Sequence, residues 1–314
     1  MSSTNTLVQE SKKETKNNIL QKPFLIWVGG KTQIIDEVIS KIPIKMENYH
    51  ELFLGGGSIL FAVLSLQKQN KITIKNKIFA YDINRALINV YKQIQSNKDE
   101  LYETLSLFMN DYDNLDGTYI NRKPITIEDS KTSKESYYYW MRNMYNKTGK
   151  ETVESAALFM FINKTCFRGL YREGPNGYNV SYGHYKKTPT ILSKKQLNYI
   201  SELIKDVCFE SISFCDSIRN VKSGDFVYLD PPYAPENATS FVKYVKGGFN
   251  IETHKLLFDE IKKFDSNIKF VLSNSNVKLV TDNFKDYNCQ EIIARRAINS
   301  KKPGSTTKEV IIYN

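Results

Sequence analysis

The sequence predicts an α/β fold in which a sheet is interrupted by an inserted helical and hairpin subdomain. Three observations predict it. Apolar strands and helices alternate in both the first and last thirds of the 314 residues. Three candidate strands end in marked residues: glycines in "LFLGGGS" (52–58), and acids in "FAYDIN" (79–84) and "VYLDPP" (227–232). Residues 97–200 lose the alternation and read as helices and loops, which places an insertion between segments 23–96 and 201–314.

Taken in order, residues 1–22, "MSSTNTLVQESKKETKNNILQK", are polar and lysine-rich and are expected to form a disordered basic tail. "TQIIDEVISKI" (32–42) has apolar residues at helical spacing and stops before Pro43. "NYHELFLGGGSILFAVLSLQKQ" (48–69) passes from a short strand through three glycines into an apolar helix. "KIFAYDINRALINVYKQIQ" (77–95) repeats that plan with an acid at the turn and a helix from near Asn84. Residues 111–134 are polar and read as a loop, whereas "ESYYYWMRNMYNK" (135–147) and "ETVESAALFMFIN" (151–163) read as helices. From 164 to 190, glycines, tyrosines, basic residues and Pro175 predict irregular or hairpin structure. "SKKQLNYISELIKDV" (193–207) and "THKLLFDEIKKF" (253–264) are predicted helices. "DFVYL" (225–229), "IKFVLSNSN" (268–276) and "EVIIYN" (309–314) are predicted strands.

Composition narrows the class of function. Hydrophobic residues make up 41% of the chain, enough for a real core, and no apolar run reaches a membrane span or a secretory leader. An intracellular, cytoplasmic location is expected. The four cysteines form no C-x-x-C pair and the three histidines are scattered, so neither a zinc site nor a disulfide framework is expected. Basic residues outnumber acidic ones by 44 to 34, a net charge of +10 that suits a phosphate-rich partner. Lysine bias in an AT-rich genome gives the same excess.

The strand ends carry the chemistry. A strand cannot run through Pro231 and Pro232, which have no N–H for the ladder, so Asp230 and Tyr233 are fixed in a rigid loop at its carboxyl end. Open α/β sheets place ligands there; an ordinary strand-ending turn is the alternative. Gly55, Gly56 and Gly57 let a backbone approach a ligand before a helix N-terminus, or simply make a tight turn. Asp82, 25 residues after Gly57, can accept hydrogen bonds from ribose hydroxyls or can cap the following helix. Three such ends in one inferred sheet point to a nucleoside cofactor.

Six blocks in order resemble the Dam-type (class D12) DNA adenine-N6 methyltransferases: "PFLIWVGGKTQI" (23–34), "ELFLGGGSILF" (51–61), "YDINRALINVY" (81–91), "NKTCFRGLYREGPNGYNVSYGHY" (163–185), "YLDPPY" (228–233) and "RRAINSKKPGSTTKEVIIYN" (295–314). The resemblance implies a Rossmann-like catalytic domain, 23–96 with 201–314, that binds S-adenosylmethionine (AdoMet) and needs no metal. It also implies a target-recognition subdomain at 97–200. Trp27, Lys31, Gly55, Gly57, Asp82 and Asp230 match cofactor-binding positions, although Trp27 also reads as core and Lys31 as a solvated helix start. Asp230, Pro231, Pro232 and Tyr233 match the catalytic motif. In it, Asp230 and the Pro231 carbonyl would accept hydrogen bonds from the adenine amine, and Tyr233 would stack on an extruded base.

Block 163–185 resembles the family's DNA-reading hairpin, with Phe167 at a wedging position and Arg168, Arg172 and Tyr185 as contacts with double-stranded DNA. Two departures concern specificity. Arg168 stands where many GATC-type members have Asn, and Ile26 where they have a guanine-reading Lys. Loss of that cation favours a palindrome such as CATG over GATC. A cognate restriction endonuclease is a further expected partner. The competing readings are an RNA or cytosine-N4 amino-methyltransferase, against which Asp rather than Ser at 230 counts, and a catalytically silent DNA-binding protein on the same fold.

Overall fold

The computed structural model describes residues 20–235, 249–295 and 306–314. Most of the expected tail (1–19) and residues 296–305 of the last block therefore lie outside the described residues. The first third holds α1 (Ile35–Ile39), β1 (Lys45–Met46), β2 (Tyr49–Glu51), α2 (Ser58–Lys68), β3 (Thr73–Ile74), β4 (Ile78–Tyr81) and α3 (Arg85–Ser96). The middle is helical: α4 (Lys98–Asp113), α5 (Ile127–Ser130), α6 (Lys134–Lys147) and α7 (Val153–Thr165). A 3-10 turn (Phe167–Gly169) and a hairpin of β5 (Glu173–Gly174) and β6 (Gly177–Tyr178) lead to α8 (Lys194–Ile204). The last part is β7 (Val207–Glu210), α9 (Phe214–Ser217), β8 (Phe226–Leu229), α10 (Ile251–Lys262), β9 (Lys269–Ser275), α11 (Lys278–Thr281), β10 (Asn288–Arg295) and β11 (Thr306–Tyr313).

Seven strands form the main sheet in the order β10-β11-β9-β8-β2-β4-β7. From β9 to β7 neighbours run parallel, and β11 is antiparallel to β9 and to β10. All four residues of β8 are buried, as expected of a parallel strand covered on both faces. From β2 the chain builds one way through β4 to β7, then returns to lay β8 on the other side of β2. The crevice between β2 and β8 is thus a switch point of the sheet.

Three sequence expectations change. The segment 111–134 is not a loop throughout, because α4 runs on to Asp113 and α5 forms inside a Thr126 capping box. The strand predicted to meet the glycines ends at Glu51, three residues before Leu54. Strands β7 and β10 were not anticipated: β7 is a four-residue edge strand, and Asn288, Gln290 and Glu291 make β10 read as polar. The inserted helices also share the core of the sheet. Buried side chains of α2, α3, α4, α6, α7 and α8 form one continuous cluster, and α7 is buried nearly all round.

Candidate active site

The ends of β8, β2 and β4 lie side by side, so Asp230, the glycine turn and Asp82 meet on one edge of the sheet. Gly55 and Gly57 have φ of +51° and +71°, left-handed values that favour glycine. A Cβ on Gly55 would fall 2.9 Å from Cδ1 of Trp27, and one on Gly57 would fall 2.9 Å from the Tyr91 hydroxyl. The turn is therefore a bare backbone cradle under the Trp27 indole. Asp82 locks it from the side: Oδ2 accepts from the Gly55 N–H at 2.9 Å, and Oδ1 from the Asn84 N–H at 2.8 Å. The side chain that caps α3 is Asn84, which accepts from Leu87, so Asp82 is not the helix cap. Burial pushes the Asp82 carboxyl up, and those two backbone donors oppose it.

Lys31 is buried, not a solvated helix start. Its Nζ lies 2.8 Å from Asp230 Oδ2, donates to the Gly29 carbonyl at 2.8 Å, and sits 4.7 Å from the Tyr233 ring centroid. Asp230 Oδ1 is also buried but finds no hydrogen-bond partner among the described residues. Burial pushes the Asp230 carboxyl up to about 6 against the pull of the Lys31 ammonium, and Glu309 adds to the rise. Trp27 is half-buried and stacks at 5.9 Å on Tyr171 and at 6.3 Å on Phe159, so it belongs both to the core and to the edge of the cradle.

The loop after Asp230 is pinned by residues that sequence reasoning missed. The Tyr233 hydroxyl donates to Glu309 Oε2 at 2.7 Å. His254 Nε2 is 2.9 Å from the Pro232 carbonyl, and its Nδ1 is 2.8 Å from the Asn250 carbonyl. Asn274 Oδ1 accepts from the Ala234 N–H at 3.0 Å, and Ser275 donates to the Ala234 carbonyl at 2.6 Å. Glu51, at the end of β2, is buried and pushed up to about 8, chiefly by that burial; it accepts from the Tyr49 hydroxyl at 2.7 Å. Its only sequence signal is its place in the "ELFLGGGS" block.

The recognition candidates sit on the turn and hairpin after α7. Phe167 is 44% exposed, and the Arg168 guanidinium lies over its ring at 5.2 Å. Arg168 adopts φ of +55°, unusual for a non-glycine residue. Arg172 is exposed but engaged, its Nε donating to Asn179 Oδ1 at 2.6 Å and an Nη to the Asn179 carbonyl at 3.2 Å. Tyr185 donates to the Cys166 carbonyl at 2.8 Å across the hairpin base. Among the described residues, no group of three or more His, Cys, Asp or Glu side chains could hold a metal ion, and no helix is long and apolar enough to cross a membrane.

A glycine cradle, an acid at the end of each neighbouring strand and a proline-locked loop thus lie together at the switch point of the sheet, where open α/β folds place ligands. Comparison with known proteins makes the class specific. The family model for D12 class N6 adenine-specific DNA methyltransferases matches residues 27–298, and the chain belongs to that family. It is 35% identical to the type II methyltransferase M.MjaIII of Methanocaldococcus jannaschii over 93% of this chain and 99% of that protein. It is 34% identical to the type II methyltransferase M1.LlaDCHI of Lactococcus lactis over 95% and 97%, respectively. Identity to the DNA adenine methylase of Escherichia coli K12 is 27%, over 92% of each chain. The protein is thus an enzyme, a DNA adenine-N6 methyltransferase.

Proposed function

We propose that the methyl donor is AdoMet, held at the cradle of Gly55 and Gly57 by Trp27, Lys31 and Asp82, and that Asp230 orients the adenine amine. The observation that carries this reading is the buried Oδ1 of Asp230, an acceptor with no donor among the described residues, beside an Oδ2 fixed by Lys31. Leaving such a group unpaired costs roughly 1–3 kcal/mol, which an incoming amine would recover. When bound, AdoMet supplies an electrophilic methyl group, so the protein needs neither a covalent nucleophile nor a metal. The residues do the rest. Asp230 Oδ1 and the Pro231 carbonyl accept the amine hydrogens and turn its lone pair, while Pro232 is held by His254. Tyr233, tethered by Glu309, offers its ring face to an extruded base.

In this reading, residues 23–96 and 201–314 form the catalytic part and 97–200 the DNA-reading part. Phe167 wedges into the stack, and Arg168, Arg172 and Tyr185 contact duplex DNA. The target is a short palindrome around an adenine–thymine step. Ile26 alone favours CATG, since it lacks a cation for the first guanine. One observation favours GATC instead: Ile26 packs against Gly169, so Arg168, its neighbour in the chain, can supply a guanidinium close to the missing lysine's position. The names of two relatives as type II methyltransferases favour a cognate nuclease that cuts the same site.

Transfer of label from AdoMet to duplex DNA, with product analysis for N6-methyladenine, tests the reaction, and Asp230→Ala should abolish it. Near wild-type turnover of that variant with AdoMet saturating would overturn the role of Asp230. For the site, methylated DNA is challenged with nucleases blocked by adenine methylation in CATG or in GATC; protection against one and cutting by the other decides between them.

A further inference from the structure

We propose that Asn163 is a positioning residue that couples DNA reading to cofactor binding; the inference rests on the function proposed above. Asn163 lies in the last turn of α7 and is only 4% exposed. Its side-chain amide closes a two-bond clamp on a single residue: Oδ1 accepts from the Ile26 N–H at 3.0 Å, and Nδ2 donates to the Ile26 carbonyl at 2.8 Å. Only an amide carries a donor and an acceptor so disposed; a carboxylate of the same shape offers acceptors alone.

What the clamp holds is a six-residue bridge, 26–31. Its first residue, Ile26, lies so close to the recognition turn that a Cβ on Gly169 would fall 2.3 Å from Ile26 Cγ2. Trp27, next in the chain, covers Gly55 and Gly56 and stacks on Tyr171 of the recognition block. Lys31 closes the bridge on Asp230 and Tyr233. The recognition turn, the cradle and the catalytic acid are therefore joined through consecutive peptides, and Asn163 anchors the first of them to the helix that leads into the turn. With the Ile26 peptide fixed to the end of α7, a shift of the turn that carries that helix end moves Trp27 and Lys31 with it. Without the clamp, the turn and helix end can shift while Ile26 and the cradle stay behind. Coupling of this kind is reciprocal between the two ligands, and a packed, contiguous path is its physical carrier.

The test uses the full chain, a duplex that the wild type methylates, and sinefungin as an unreactive stand-in for AdoMet. Calorimetry gives the sinefungin dissociation constant with and without saturating duplex, and the ratio measures coupling. We expect a ratio of at least about 5 for the wild type and close to 1 for Asn163→Asp, with the affinity in the absence of DNA changed by less than about threefold. A merely structural Asn163 predicts a lower melting temperature and weaker binding of both ligands with the ratio intact, and that result overturns the proposal. So does a wild-type ratio of 1. Should Asn163→Asp not fold, Gly169→Ala displaces Ile26 from the other side with Asn163 intact, and a wild-type ratio there overturns the proposal equally. Absence of adenine methylation by the wild type is a different failure, that of the proposed function.

Discussion

Replacing Lys31 by Met removes the ammonium 2.8 Å from Asp230 while leaving a side chain of similar length. An opposite charge at this range typically lowers a carboxyl pKa by roughly 1–3, so its loss should carry Asp230 from about 6 to roughly 7–9. In the proposed reaction the ionised acid accepts the adenine amine, so the acid limb of the rate profile should move up with it. If the limb reaches ~8, the ionised fraction at pH 7 falls about tenfold on that count alone. Stability follows with a definite sign. A carboxyl raised in the fold costs stability as it ionises, so wild-type stability declines from near pH 4 up to about 6 on this account. In the variant that decline extends upward through the new pKa. Lys31→Met should therefore melt below wild type at pH 8 and close to it at pH 5, where Asp230 is protonated in both. The assay is kcat/KM against pH from 5.5 to 9 with AdoMet saturating, beside melting curves at the two pH values. An acid limb that stays near 6 or moves lower would refute the reasoning, as would an equal loss of stability at both pH values.

Three further outcomes are expected. Asp82→Ala removes acceptors for the Gly55 and Asn84 N–H groups as well as any ribose contact, each worth about 1 kcal/mol, so the AdoMet dissociation constant should rise by roughly tenfold or more; unchanged affinity by calorimetry would leave Asp82 without a cofactor role. DNA binding should weaken steeply with salt, and Arg172→Ala should relax discrimination between cognate and mismatched duplexes by roughly 1–3 kcal/mol per base pair read; intact discrimination would assign Arg172 to the hairpin through Asn179 alone.

Much of the site was legible because its parts are local. The arrest of β8 at two prolines, the glycine turn and the acid after β4 are each written in a few consecutive residues. Their convergence follows from the sheet order, since β8, β2 and β4 are neighbours. What was not legible are pairings that only the sheet and its packing create. Glu309 reaches Tyr233 from the far strand β11, Asn274 reaches Ala234 from β9, and His254 reaches Pro232 from α10. None of these residues stands out along the chain, where Asn274 reads as one of several polar residues in "LSNSN". The alternative of a solvated Lys31 stayed open in the sequence for the same reason: its partner Asp230 follows a strand from the other end of the sequence. The edge strand β7 escaped because four residues of alternating burial give too short a pattern to separate from the preceding helix.

The burial of α7 on nearly every side has a consequence for anyone wishing to retarget the enzyme. The insert looks like a cassette in the sequence, yet cutting it out at its apparent borders would strip α3 of its packing against α7, cut through α8 (Lys194–Ile204) and open the shared core to water. The segment proposed to read DNA is smaller. It begins at Cys166, where the chain leaves α7, and ends at Tyr185, whose hydroxyl returns to the Cys166 carbonyl and closes the segment on itself. A graft there has to keep Cys166, Tyr178, Val180 and Tyr182, which belong to the shared core, so under the proposed function new base preferences are sought by varying the exposed Phe167, Arg168 and Arg172 without redesigning the helices beneath.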